Sequence, residues 1–118
     1  MNHKNPDAWR NSVSLVKIIY KLAERMPESE RFGLTHQMKK AAVSIPSNIA
    51  EGAARDSDQE LIHFLYYSLG SAAELETQLI ISQELIFLCI PDDVDDYMQK
   101  TKKVILGLIR YIKSKKRR

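Results

Sequence analysis

Apolar residues recur at helical spacing in four separate segments of this chain, and no segment alternates apolar and polar residues with a period of two. Proline and glycine are scarce, with four of each in 118 residues, so the chain has few of the residues that form tight turns. One stripe spans only about 80° of a helix at 100° per residue. That stripe consists of Met38, Ala42, Ile45, Ile49 and Ala53. The pattern predicts an all-α protein.

Four helices are expected from the periodicity, within a single domain spanning residues 1–118. Their predicted ranges are 7–26, 35–55, 58–89 and 93–114, and a basic tail follows at 113–118. Helices joined by connections this short pack most simply as an antiparallel up-down four-helix bundle.

Capping residues and prolines set the expected helix ends. Thr35 and Ser57 are suitable N-caps, and Glu60 completes a capping box with Ser57. Pro91 is expected to stop the third helix near Cys89. Pro46 falls inside the second helix, where it removes one backbone hydrogen bond. The apolar stripe keeps its phase across Pro46, so a single continuous helix is predicted.

The charge distribution separates a nearly neutral body from a basic end. The formal net charge is +3, yet residues 113–118 contain five of the basic groups. Cys89 is the only cysteine, which excludes an intrachain disulfide and a zinc site built from thiolates. The longest uncharged stretch, 61–73, is too short to cross a membrane, which needs about 20 apolar residues. We therefore expect a soluble cytoplasmic protein.

Two segments carry a specific resemblance. The first runs from Phe32-Gly33-Leu34-Thr35 to Ser47-Asn48-Ile49-Ala50-Glu51-Gly52, with Pro46 inside it. The second contains Phe64-Leu65, Gly70-Ser71, Glu74-Leu75 and Thr77-Gln78-Leu79. The chain resembles, from about residue 7 to residue 112, the four-helix-bundle family of proteins encoded in intervening sequences of bacterial 23S ribosomal RNA genes. The accessory protein of diversity-generating retroelements is related to this family.

The resemblance implies a homo-oligomer, namely a barrel-like pentamer of four-helix bundles, and it implies no catalytic residues and no cofactor. For the retroelement relatives it implies binding to a reverse transcriptase, and to RNA or DNA through a basic surface. The function expected from these implications is a non-enzymatic scaffold or adaptor that assists a nucleic-acid or reverse-transcriptase complex.

Two polar lines, on the second and third helices, are hypothesised to meet, either within one subunit or between subunits. The first consists of Lys40, Ser44, Ser47, Asn48, Glu51 and Arg55, and the second of Tyr67, Ser71, Glu74 and Gln78. Three roles remain open for them: satisfying the backbone near Pro46 with a Glu51–Arg55 pair, a polar subunit interface, or a ligand site.

The sequence gives little support for metal binding or for nucleophilic catalysis. Glu60-x-x-His63 matches half of a di-iron bundle motif, which needs two such pairs and two further carboxylates. A metal-binding bundle is therefore a remote alternative. No nucleophile turn or phosphate-binding glycine loop is present.

The basic tail suggests a second function, a small nucleic-acid-binding module. Its basic members are Lys113, Lys115, Lys116, Arg117 and Arg118. Such a tail would bind phosphates with a strong salt dependence. No aromatic residue interleaves it, so base stacking is not expected.

The first and fourth helices carry apolar stripes wider than a bundle seam requires. Ile18, Leu22, Leu106 and Ile109 form the surplus. Either they broaden the core, or they form an oligomer contact.

Overall fold

The computed structural model describes residues 6–115 as four α-helices joined by short connections. The helices are α1 (Pro6–Ala23), α2 (Leu34–Ala53), α3 (Asp58–Glu84) and α4 (Asp92–Lys115), with a short 3-10 helix at Glu28–Glu30. No strand occurs among these described residues. The prediction of an all-α protein with four helices is confirmed.

The core lies between all four helices. Leu15 of α1, Ile45 of α2, Leu75 of α3 and Ile105 of α4 are fully buried, as the helical spacing of each segment requires. A buried side chain of this size contributes about 1.5–3 kcal/mol through the hydrophobic effect.

The surplus expected on the first and fourth helices is largely absorbed by this core. Leu22 and Ile109 are only 4% and 1% exposed, and Ile18 and Leu106 are partly buried. Leu22 and Ile109 therefore leave no exposed apolar surface for an oligomer contact to bury. The sequence identified these residues as apolar but did not show how far the helices would close around them.

Contacts between α2 and α3 pair early residues of one helix with late residues of the other. Ser82 Oγ lies 3.6 Å from Met38 Sδ, whereas Ser68 Oγ donates to the Ile45 carbonyl at 2.9 Å. The two helices approach closely at Gly52, near their connection. A Cβ added to Gly52 would lie 2.7 Å from the Phe64 Cβ.

α3 ends at Glu84, not at residue 89 as predicted. The Phe87 N–H donates to the Ser82 carbonyl at 2.8 Å, and the Ile86 N–H donates to the Gln83 carbonyl at 3.0 Å. With Ile86 at a φ of 62°, these two bonds form a Schellman motif, which closes a helix. The expectation failed because this position normally holds glycine, and Ile86 gives no such signal.

The ends of α1 and α2 also differ from expectation. Thr35 is not the N-cap of α2, since the helix begins at Leu34 and the Glu30 carboxylate accepts the Leu34 N–H at 3.2 Å. α1 ends at Ala23, three residues before Met26, because the next amides bond to carbonyls three residues back. Ser57 does cap α3, accepting the Glu60 N–H at 3.1 Å.

No helix within residues 6–115 is long and apolar enough to cross a membrane.

Candidate functional site

The polar residues after Pro46 serve the backbone of α2. The helix runs unbroken through Pro46, as predicted, and Pro46 cannot donate to the Ala42 carbonyl. Ser47 Oγ donates to the Val43 carbonyl at 2.8 Å, and Asn48 Nδ2 donates to the Ser44 carbonyl at 2.9 Å. Both bonds go to carbonyls in the turn before Pro46, and neither goes to the Ala42 carbonyl, so the satisfaction of backbone groups freed by Pro46 stays a prediction.

The two polar lines meet within one chain at Ser44 and Ser71. Ser71 Oγ donates to Ser44 Oγ at 3.0 Å, and Asn48 Nδ2 donates to the same oxygen at 3.1 Å. Ser44 thus links the two helices through a hydroxyl that accepts twice. Since every member is a short neutral side chain, the cluster orders the helices without a buried charge.

A cavity of about 420 Å³ opens beside this cluster. Its lining consists of His36, Gln37, Lys40, Ala41, Ser44 and Glu74. Lys40 and Glu74 are both exposed, so the cavity mixes charges of opposite sign at its edge. Among the described residues, the Ser44 hydroxyl of this lining is hydrogen-bonded to Asn48 and Ser71 and not to a base, so the arrangement offers binding groups without a nucleophilic dyad.

Arg55 joins the ends of the α2 line to α3. Its guanidinium donates to Glu51 Oε2 at 2.9 Å, the pair expected from their spacing. It also lies 3.8 Å from Glu60 Oε2 and 4.9 Å from the Phe64 ring centroid. The Arg55 side chain is 45% exposed, so these ion pairs contribute little stability, and their main effect is to fix the side chain over Phe64.

Tyr67 and Gln78, the first and last members of the second polar line, do not lie on one surface in the structure. Tyr67 is exposed and meets Phe64 edge to face, with ring centroids 5.4 Å apart. Gln78 is buried, not on a polar surface, and its Oε1 has no hydrogen-bond partner among the described residues. Gln78 therefore does not belong to a surface line with Ser71 and Glu74.

A polar cluster between α3 and α4 escaped the sequence analysis. Glu76 Oε2 accepts from Gln99 Nε2 at 2.6 Å, and Lys102 Nζ lies 3.1 Å from Glu76 Oε1. Burial raises the pKa of Glu76, but the hydrogen bonds from Gln99 and Lys102 and the charge of Lys102 outweigh it and leave the pKa below its ordinary value of 4.5. Only the register between the two helices reveals this cluster.

The remote metal alternative finds no cluster in the described part of the chain. Glu60 and His63 are both exposed on α3. Between residues 6 and 115, no three side chains from His, Cys, Asp and Glu gather in a way that could hold a metal ion.

The basic tail is only partly within the described residues. Lys113 Nζ donates to the Tyr66 hydroxyl at 2.9 Å, and Lys115 Nζ lies 3.9 Å from Asp58. Lys116, Arg117 and Arg118 lie outside the described residues. An aromatic residue of α3 therefore stands beside the basic end, although none occurs within the tail sequence.

Comparison with known proteins agrees with the fold. A crystal structure of a protein of unknown function from the S23 ribosomal protein family of Bacteroides thetaiotaomicron VPI-5482 has a TM-score of 0.81 to this chain at 19% identity. The match covers 91% of this chain and 98% of that one. No protein with a curated description matches closely enough to count as a relative.

The family comparison covers almost the whole chain. The model of the 23S rRNA-intervening sequence protein family matches residues 4–110, a range that contains the Pro46 segment, the Ser44–Ser71 contact and most of α4. The chain belongs to the 23S rRNA-intervening sequence protein family.

Proposed function

We propose that the chain is a non-enzymatic homo-oligomeric scaffold or adaptor of the cytoplasm, built as an antiparallel up-down bundle and assembled as a barrel-like pentamer. Contacts along the helices support the antiparallel arrangement. Met38 lies against Ser82 while Gly52 lies against Phe64, and Glu76 meets Lys102 while Tyr66 meets Lys113. A nucleic-acid or reverse-transcriptase complex is the client class that the family resemblance implies.

The observation that carries the proposal is the outer face of α3. We use this name for its exposed positions between His63 and Gln83, most of which are apolar or small. They are Tyr66, Tyr67, Gly70, Ala73, Glu74, Thr77, Ile80 and Ile81. A helix that is apolar on its inner and its outer side is ordinarily buried on both.

Charge on this face is nearly absent. Residues 61–83 contain no lysine or arginine, and their only carboxylates are Glu74 and Glu76. Glu76 is already engaged by Lys102, which leaves Glu74 as the one charged group of the face. The face continues at its end into Leu85 and Ile86, which are 56% and 89% exposed. A surface of this kind favours contact with another protein chain.

Native mass spectrometry of the purified protein tests the proposal. We expect a mass of five chains for the wild type and a shift toward the 13.6 kDa monomer for Ile81→Glu, because a carboxylate would be buried in the contact. Val43→Glu is the matched control. Val43 of α2 is 40% exposed and Ile81 is 41% exposed, and both are β-branched.

Either of two results would overturn the proposal. One is a wild-type protein that stays monomeric at micromolar concentration. The other is an Ile81→Glu variant that keeps the wild-type mass while circular dichroism shows an intact helical fold.

A second function, nucleic-acid binding, is favoured by the charge of α4. Residues 97–118 contain nine lysines and arginines and no acidic residue. We propose that this basic end, including the tail Lys113–Arg118, binds phosphates in a salt-dependent manner. Removal of residues 113–118 is expected to weaken RNA and DNA binding in a gel-shift assay, and unchanged binding would contradict a role for the tail.

A further inference from the structure

The α4 helix presents a basic surface that begins well before the tail. Five exposed residues lie within about 100° of each other at 100° per residue and extend over about 17 Å. We call them the α4 outer face: Lys100, Lys103, Gly107, Arg110 and Tyr111. They point away from the core positions Met98, Ile105 and Ile109, so the whole face is open to solvent.

The three cations of this face are not neutralised within residues 6–115. Lys102, on the side facing α3, pairs with Glu76, and Lys115 pairs with Asp58. Among residues 6–115, no carboxylate lies at ion-pairing distance from Lys100, Lys103 or Arg110, although Asp96 lies one turn before Lys100. Lys100 and Lys103 lie one turn apart and repel each other, so a bound polyanion would relieve this repulsion.

Tyr111 adds an accessible aromatic ring to these cations. The residue is 60% exposed, and Lys115 Nζ lies 5.9 Å from its ring centroid. Gly107 lies between Tyr111 and Lys103, and among the described residues no atom outside the helix's own backbone lies within 4 Å of a Cβ added there, so the surface at this position is open. Proteins that bind single-stranded nucleic acids combine cationic side chains with an exposed aromatic ring, since phosphates bind the cations and a base stacks on the ring.

We propose that the α4 outer face is a binding site for single-stranded nucleic acid, with Lys100, Lys103 and Arg110 on phosphates and Tyr111 stacked on a base. This inference rests on the second proposed function and assigns it to residues outside the tail. A duplex offers phosphates but hides the faces of its bases, so Tyr111 acts only on single strands.

Fluorescence anisotropy with labelled oligonucleotides of about 16 nucleotides tests the site, because known single-stranded sites extend to about that length. The probes are oligouridylate, oligodeoxythymidylate and a DNA duplex, each titrated over a series of salt concentrations. The double variant Lys103→Gln/Arg110→Gln is expected to lower the slope of log K against log salt on single strands by about 1.4, since each lost phosphate contact removes about 0.7.

The charge control is Lys17→Gln/Lys21→Gln, which removes the same charge from exposed positions of α1. We expect the slope of this control to remain near that of the wild type. Tyr111→Ala is expected to weaken single-strand binding about tenfold, while Tyr111→Phe retains it and neither variant changes duplex binding. Tighter binding of uridylate would identify RNA as the ligand, and tighter binding of deoxythymidylate would identify DNA.

The outcomes separate this site from the tail. If the wild type binds none of the probes at low salt, both the second proposed function and this inference fail. If removal of residues 116–118 abolishes binding while the Lys103/Arg110 and Tyr111 variants bind like the wild type, the tail remains the binding element and the α4 outer face is refuted. Native mass spectrometry and circular dichroism are the controls that check whether each variant keeps its assembly and its fold.

Discussion

Ile86 adopts a backbone conformation that is unfavourable for an L-residue. It is the only non-glycine residue of this region with a positive φ, 62°, and its side chain is 89% exposed. The left-handed conformation costs an L-residue about 1–2 kcal/mol, and a β-branched side chain seldom adopts it. Because this side chain is exposed, it contributes little to the stability of a single chain. Its position continues the apolar outer face of α3.

Replacing Ile86 with glycine is therefore expected to stabilise the bundle. Ile86→Gly should raise the free energy of unfolding of the dissociated chain by about 1 kcal/mol, because glycine adopts positive φ without strain. Ile86→Ala is the control, since it removes the apolar side chain but retains the Cβ that causes the strain. Urea denaturation at low protein concentration measures both. Equal stability of the glycine and alanine variants would show that the backbone of Ile86 is not strained.

Glu76 gives the stability of the chain a dependence on pH. Its pKa is lowered in the folded protein, so the charged form stabilises the fold above the unfolded pKa of about 4.5, and this contribution is lost as the pH falls through the folded pKa. Glu76→Gln should therefore be less stable than the wild type at pH 7, and the difference should shrink as the pH falls below 4.5. Thermal unfolding between those two pH values measures it. A difference independent of pH would show that Lys102 and Gln99 do not favour the carboxylate.

At the scale of the helices, the α2–α3 pair depends on one close approach. A Cβ on Gly52 would lie 2.7 Å from the Phe64 Cβ and 3.3 Å from the Leu61 carbonyl oxygen, and neither atom is the flexible end of a side chain. We expect Gly52→Ala to lower the free energy of unfolding by about 1–3 kcal/mol, the usual cost of overpacking.

Gly107 provides the matched control for Gly52. It also lies within a helix, but an added Cβ there meets no atom within 4 Å. Gly107→Ala should stabilise the chain by about 0.5–1 kcal/mol, because alanine is the better helix former. Chemical denaturation of the two variants compares them directly. If both substitutions stabilised the protein, the α2–α3 contact at Gly52 would be looser than the structure indicates.

The helices were predictable because their information is local. Apolar spacing predicted all four, and the Glu51–Arg55 pair followed from a separation of four residues. The ends were less predictable wherever the closing group was unusual. Ile86 took a position that favours glycine, and the Glu30 carboxylate replaced Thr35 at the start of α2.

Contacts between helices were less accessible to sequence reasoning. Helical spacing grouped Ser44 and Ser71 into two polar lines, but it did not show that these two residues would form the contact between the helices, or that the contact would lie within one chain. The Glu76–Lys102 and Tyr66–Lys113 contacts join residues far apart in the chain, and they depend on the rotation and register of α3 and α4. Periodicity defines which residues share a face, but it does not define which face of the next helix they meet.

At the scale of the whole molecule, the outer surfaces of α3 and α4 differ in character. The outer face of α3 is apolar with Glu74 as its only charge, whereas the α4 outer face carries Lys100, Lys103 and Arg110, which have no acidic partner within residues 6–115. One chain thus offers a surface suited to another protein chain beside a surface suited to a polyanion. In a closed assembly joined through α3, the α4 faces of all subunits would act together, so that weak individual contacts would add up.

The apolar outer face of α3 predicts that the stability of the protein depends on the protein concentration. If the outer face of α3 joins subunits into a pentamer, a tenfold increase in concentration should raise the apparent stability per chain by about 1 kcal/mol, or the melting temperature by roughly 4 °C. Ile81→Glu should remove this dependence, because its carboxylate disfavours the contact, while Val43→Glu should retain it. Differential scanning calorimetry over a hundredfold dilution series measures the effect. A wild-type melting temperature that stays constant over this range would mean that the apolar surface of α3 remains exposed to solvent in the working protein.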